Sequence, residues 1–212
     1  GEEVALEGIL TDGVLTTLAL FDKPDPLDGP FFEETIYVTP SRQSDAVQAR
    51  VAAVTADAAR AMGLLQGPVH AELRIGSEGP VIIEVAARSI GGLCARTLRF
   101  GLDGQSLEEV VLSHALGRSA PTLDRRAASG VMMIPVPRGG VFREVKGIAE
   151  AKQIVGIEEV VITANLGEVL VPAPEGASYF GFIFARGATS EDVIGSLRGA
   201  HAALVFDVAS KL

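Results

Sequence analysis

Apolar and polar residues alternate along two neighbouring stretches, His70–Ile75 and Val81–Arg88, with Gly76-Ser77-Glu78-Gly79-Pro80 between them. Period-two alternation predicts half-buried strands, and the Gly/Pro break predicts a tight turn joining them as a hairpin. His70, Glu72 and Arg74 share one face of the first strand. Ile82, Glu84 and Ala86 share one face of the second, and Arg88 follows on the same parity. A turn centred on Glu78 sets Glu72 directly opposite Glu84. Opposed side chains on one sheet face have Cβ atoms about 4.5–5.5 Å apart.

The same patterning organises the rest of the chain. Residues 4–10 and 14–21 form a predicted hairpin around Thr11-Asp12-Gly13, because Asp-Gly is a strong turn signal. Phe31 to Thr39 returns as a strand carrying Glu33, Glu34 and Tyr37, and Pro40 closes it. Ser41 or Ser44 caps a helix whose stripe is Val47, Val51, Val54, Ala58 and Met62, ended by Gly63. Residues 91–100 are expected to be helical as far as Gly101. Ser106 and Glu109 make a capping box for a helix running to Leu116, with Gly117 at its end. The pattern changes around Pro121–Ser129, which places a boundary near residue 125. Strands are expected at 129–136, 141–145, 157–164, 168–171 and 178–186, with Asn165–Glu168 as a hairpin turn. A helix beginning at Thr189 and a last strand at 205–208 complete an α+β module. No cluster of titratable residues in that module suggests a site.

Composition narrows the function. A chain of 212 residues, 48% hydrophobic, holds one domain or two small ones. The net charge of −9 and the lack of a basic run argue against a nucleic-acid partner. One cysteine, Cys94, excludes a disulfide framework and suits a reducing, cytoplasmic setting. No apolar run is long enough for a membrane helix. The chain lacks an initiating Met and starts inside a strand, which suggests a piece of something longer.

Two carboxylates opposed between apolar neighbours repel unless a cation lies between them. Mg²⁺ with a nucleotide phosphate is the usual occupant of such a pair. Arg88-Ser89-Ile90-Gly91-Gly92, directly after the second strand, adds a guanidinium and a Gly pair suited to anionic oxygens. The competing reading is plain solvated surface on an antiparallel hairpin. His70 stands between the two readings because it shares a face with Glu72. Lys23 and Glu33 read as surface residues, His114 and His201 as core or surface histidines, and Cys94 as a small buried hydrophobe. Arg96 and Arg99 are solvated or add positive potential.

The string His70-Ala71-Glu72, then Ile83-Glu84-Val85-Ala86-Ala87-Arg88 with Gly91-Gly92, resembles the metal-binding end of the ATP-grasp superfamily. Glu7-Gly8-Ile9-Leu10, Asp12-Gly13, Asp22-Lys23, Glu34-Thr35 and Thr39-Pro40-Ser41 resemble the matching stretch of its L-amino-acid ligases, as does the tail after residue 127. The resemblance implies an α+β fold, the C-terminal half of an ATP-grasp fold. Residues 1–125 would be its second subdomain, holding metal, phosphate and substrate, and 126–212 a small β-rich C-terminal domain. It implies that Glu72 and Glu84 hold Mg²⁺, with Mn²⁺ as the alternative ion, against the phosphates of ATP. Arg88 would contact the phosphates and an acyl-phosphate intermediate. Glu34, Tyr37, Gly91 and Gly92 would meet substrate. Tyr37 stands where the ligases carry His, and Ala86 where many relatives carry a metal-binding Asn.

The implied reaction joins a small-molecule carboxylate to an amine at the expense of ATP. The implied partner is an N-terminal ATP-grasp subdomain absent from this sequence, so the chain alone is expected to be inactive. A homodimer is compatible with this reading. The alternative is a non-catalytic nucleotide-binding or accessory module with the same fold.

Overall fold

A computed structural model describes residues 1–25, 35–119, 127–172, 175–176 and 179–210. The chain divides into two compact units, residues 1–24 with 39–127, and residues 25–38 with 128–212. Glu33, Glu34 and the expected boundary near residue 125 lie outside the described residues.

In the first unit, β1 (Glu2–Thr11) and β2 (Val14–Lys23) are antiparallel. Asp12 and Gly13 between them have φ of 49° and 78°, the left-handed pair that a two-residue hairpin turn requires. β4 (Gly67–Gly76) pairs with β1, and β5 (Gly79–Ala86) pairs with β4, giving the order β5-β4-β1-β2. The helix α1 (Asp45–Ala61) covers one face and is capped by the Ser44 side chain. Its buried line is Val51, Thr55 and Ala59, with Val47 and Val54 flanking it. Met62, expected to end the stripe, is instead exposed as the helix C-cap. Val4, Leu6, Leu20, Ala71 and Leu73 meet the helix from the sheet.

The opposite face of this sheet is polar. Alternation along β1 and β4 turns Glu3, Ala5, Glu7, His70, Glu72 and Arg74 away from the α1 core. The segment expected to be helical over 91–100 forms only a 3₁₀ turn at Cys94–Thr97. Gly91 and Gly92, the latter at φ 61°, deprive a helix of its first turn. Cys94 is buried, as a small hydrophobe would be. The capping box of Ser106 and Glu109 forms as expected and starts α2 (Leu107–Ala115).

The second unit contains β3 (Ile36–Thr39, of which Ile36–Val38 fall in this unit), β6 (Ala128–Ile134), β8 (Ile157–Ile162) and β10 (Gly181–Gly187), in the order β3-β6-β10-β8. A three-stranded sheet joins β11 (Val205–Ala209), β7 (Gly140–Lys146) and β9 (Val169–Leu170). The helix α4 (Ser190–Ala203) starts at a capping box of Thr189 and Asp192. It buries Val193, Ile194 and Leu197 in a core shared with Ile183, Phe180 and Phe142. The short helix α3 (Ile148–Lys152) was not expected, since five residues are too few to show a period. Asn165–Glu168 turns tightly, with Gly167 at φ 84°, but it is not a hairpin. The strands flanking it, β8 and β9, pair with β10 and β7 in different sheets.

Candidate functional site

Glu72 and Glu84 are cross-strand partners in the β4–β5 hairpin. They reach that register by an indirect route. The turn is one residue tighter than expected, with Gly76 paired to Gly79 and only Ser77-Glu78 between them. Leu73 pairs with Ile82, whereas Glu72 pairs with Glu84, so Ile83 is an extra residue bulged out of the ladder. Without this bulge Glu72 would face Ile83, and Glu84 would point to the α1 side. The bulge also corrects the expected grouping of Ile82 with Glu84: Ile82 packs against the α1 core, while Glu84 lies on the polar face.

Glu72 sits at the centre of a chain of ionic contacts. Its Oε1 lies 3.3 Å from His70 Nε2, and its Oε2 lies 3.1 Å from Lys23 Nζ. His70 Nδ1 bonds to Glu7 Oε1 on the neighbouring strand. Lys23 Nζ donates to Glu3 Oε1 at 2.7 Å, and Arg74 donates to Glu3 Oε2 at 2.9 Å. Three carboxylates (Glu3, Glu7, Glu72) therefore face three basic groups (Lys23, His70, Arg74). The expectation that Lys23 lies on the surface is overturned: its side chain is 3% exposed. Lys23 and Arg74 both flank Glu3, because Glu3 pairs with Lys23 on β2 and with Arg74 on β4. The pattern of a single hairpin cannot show that third strand. The available signal was the run Glu3-Val4-Ala5-Leu6-Glu7, which puts both acids on one parity.

The network sets protonation. Burial raises the pKa of Glu7, against lowering by His70, the Ile90 N–H and the charge of Arg88. Burial also works against a charged His70, but its bonds to Glu7 and Glu72 outweigh this and push its pKa up to about 9. For Glu72, burial is outweighed by His70 and Lys23, and the pKa falls to about 2. Glu72 is thus a carboxylate at neutral pH, the form that binds cations. The raised His70 pKa carries a stability prediction for the chain without divalent ions. The contribution is complete below about pH 6.5, the ordinary histidine value, and is lost as pH rises toward 9. A loss of about 2–3 kcal/mol across that window is expected in urea unfolding, and it should disappear in His70→Gln.

Glu84 and Arg88 lie at the open edge, 53% and 55% exposed, with a 3.5 Å ion pair between them. An exposed pair of this kind is worth less than about 1 kcal/mol, so either group is free to be drawn to a ligand at little cost. Arg88 also donates to the Ser89 carbonyl at 3.0 Å. Gly91 and Gly92 are exposed in the loop that follows. Tyr37 is buried in β3 of the second unit. A separate cavity of about 420 Å³ is lined by Ile9, Thr11, Thr16, Gln66, His114 and Arg118 among others, with no carboxylate among its described lining residues. His114 bonds there to Thr11 Oγ1 at 2.8 Å.

Among the described residues no group of three or more His, Cys, Asp or Glu side chains could enclose a metal. Two carboxylates still match how Mg²⁺ is usually bound, through one or two acids with the remaining positions taken by water and phosphate. No helix among the described residues is long and apolar enough to cross a membrane.

Comparison with known proteins places this geometry. Residues 1–97 match the model of an ATP-grasp domain, and residues 132–209 match the L-amino acid ligase C-terminal domain 2. An L-amino acid ligase from Bacillus licheniformis superposes with a TM-score of 0.83 at 27% identity, over 99% of this chain and 52% of that one. A phosphoribosylglycinamide synthetase from Anaerococcus prevotii shares the fold at 13% identity (TM-score 0.75, 99% and 54% covered). So does a biotin carboxylase from Campylobacter jejuni at 15% (TM-score 0.66, 99% and 47% covered). Curated protein sequences give no match. The chain spans about half the length of the structures it matches. With two family models along its length and the same fold in these structures, the chain resembles the ATP-grasp superfamily and, within it, the L-amino acid ligases.

Proposed function

We propose that this chain is the metal- and substrate-holding part of an ATP-dependent carboxylate–amine ligase. The observation that carries the reading is the pairing of Glu72 with Glu84 on one sheet face, with Arg88 beside Glu84. Glu72 and Glu84 would hold Mg²⁺, or Mn²⁺ in its place, against the phosphates of ATP. When bound, the ion neutralises charge on the phosphate oxygens. Arg88 orients the transferred phosphoryl group by bidentate hydrogen bonding and offsets the negative charge that develops on it. Lys23 and His70 keep Glu72 ionised and fixed in place. In the overall reaction the substrate carboxylate takes the γ-phosphoryl group of ATP, and an amine displaces phosphate from the acyl phosphate. Gly91 and Gly92 leave open space for substrate beside Arg88.

Residues 1–125 would then act as the second ATP-grasp subdomain and 126–212 as the C-terminal domain, a reading supported by family matches over 1–97 and 132–209. The chain spans about half of its structural relatives, so we assign the remaining ATP contacts to a preceding ATP-grasp subdomain and expect no turnover from these residues alone. The single cysteine, the buried Cys94, suits the cytoplasm.

In the full-length protein, Glu84→Gln should lower Mg-ATP turnover about 100-fold or more, measured as phosphate release over a panel of amino-acid pairs. Its circular dichroism and unfolding midpoint should not change, since the side chain is exposed. Unchanged turnover would refute the metal assignment. A full-length protein that binds ATP yet releases no phosphate with any pair would favour the non-catalytic module.

A further inference from the structure

We propose that Glu7 is a positioning residue: one buried carboxylate that fixes both the metal-binding Glu72 and the loop carrying Arg88, Gly91 and Gly92. The inference rests on the metal-and-phosphate reading of Glu72, Glu84 and Arg88.

The two oxygens of Glu7 are divided between two elements. Oε1 bonds to His70 Nδ1, and the other ring nitrogen of His70 lies 3.3 Å from Glu72 Oε1. Oε2 accepts from the backbone N–H of Ile90 at 3.1 Å, two residues after Arg88 and one before Gly91. Glu7 is 1% exposed and comes from the middle of β1, a central strand of its sheet. A buried carboxylate is costly to maintain, and hydrogen bonds to charged or backbone donors must offset that cost. Serving only as a structural acid would not require its bonds to end on these two elements. Glu72 and the Arg88 loop come from different parts of the chain, and through Glu7 a shift in either is resisted by the same rigid strand. Imidazoles and carboxylates that orient a metal ligand typically change metal affinity 10–100-fold when removed.

Three substitutions separate the two links. Glu7→Leu cuts both. His70→Leu cuts only the link to Glu72. Glu7→Gln can keep both, because its amide NH₂ can donate to Nδ1 of the neutral imidazole while its oxygen accepts from Ile90. The readouts are Mn²⁺ affinity of the chain, from paramagnetic broadening of nearby amide signals, and hydrogen exchange at the Ile90 amide. Glu7→Leu should weaken Mn²⁺ binding about tenfold and remove protection at Ile90. His70→Leu should weaken Mn²⁺ binding similarly and leave Ile90 protected. Glu7→Gln should stay within about threefold of the unchanged chain on both.

Unaltered Mn²⁺ affinity in either leucine variant, or unaltered Ile90 exchange in Glu7→Leu, would overturn the proposal. If Glu7→Leu does not fold, His70→Leu decides the link to Glu72, and loss of Ile90 protection or a more than about threefold weaker Mn²⁺ affinity in Glu7→Gln overturns the proposal. Glu84→Gln is the control. If it too leaves Mn²⁺ binding unchanged, or if the unchanged chain shows no broadening near Glu72, the metal reading fails, while Ile90 exchange still decides whether Glu7 holds the loop.

Discussion

Lys23→Met should destabilise the chain by about 3–5 kcal/mol, the range seen when one partner of a buried ion pair is removed. The ammonium of Lys23 lies between Glu3 Oε1 at 2.7 Å and Glu72 Oε2 at 3.1 Å, and its side chain is almost fully buried. Methionine fills much of the same volume and removes only the charge. Two carboxylates are then left under-compensated at low dielectric, although Arg74 and His70 still contact them. Adding Glu72→Gln should recover part of the loss, because the pair of substitutions removes one charge of each sign. Interaction energies of about 0.5–3 kcal/mol are usual for residues in such contact. Urea unfolding of the two single variants and the double variant measures this directly. An unchanged midpoint in Lys23→Met would mean that the ammonium does not hold the acidic face together.

Phe180→Ala should cost a similar amount, about 3–5 kcal/mol, for a different reason. Phe180 is fully buried, between the rings of Phe142 at 4.7 Å and Phe206 at 4.6 Å, and both contacts are edge-to-face. Phe142 and Phe206 belong to the small sheet, while the Phe180 N–H bonds to the Ile134 carbonyl of the larger one. Truncation leaves a cavity at the seam and removes two aromatic pairs worth about 0.5–1.5 kcal/mol each. Phe180→Leu should lose clearly less. Equal losses in both variants, read from denaturant midpoints, would show that ring geometry contributes nothing.

The parts of the fold legible in the sequence were those specified by local chemistry. Asp12-Gly13, the Ser44 cap and the Ser106–Glu109 box each fix the backbone over a few residues. What escaped depended on partners distant in sequence. Lys23 reads as surface because nothing near it reveals Glu72 two strands away. The Ile83 bulge left no periodic trace, and two departures from the expected hairpin, a tighter turn and an extra residue, cancelled at the Glu pair. Residues 91–100 carry apolar residues at helical spacing, but their opening Gly pair outweighs the pattern and leaves a 3₁₀ turn. The expected Glu72–Glu84 pairing holds because those two departures offset each other. The setting that keeps Glu72 charged was not legible.

The Ile83 bulge makes the hairpin tip and the carboxylate pair separately adjustable. A turn one residue longer that draws Ile83 into the ladder keeps Glu72 opposite Glu84 along an uninterrupted run. The tip can therefore be exchanged, tagged or shortened by compensated steps without moving the acidic pair. This gives an engineer a grafting point beside the carboxylate pair, and gives natural variation a place to accept insertions and deletions that a perfectly regular hairpin would pass on to that pair.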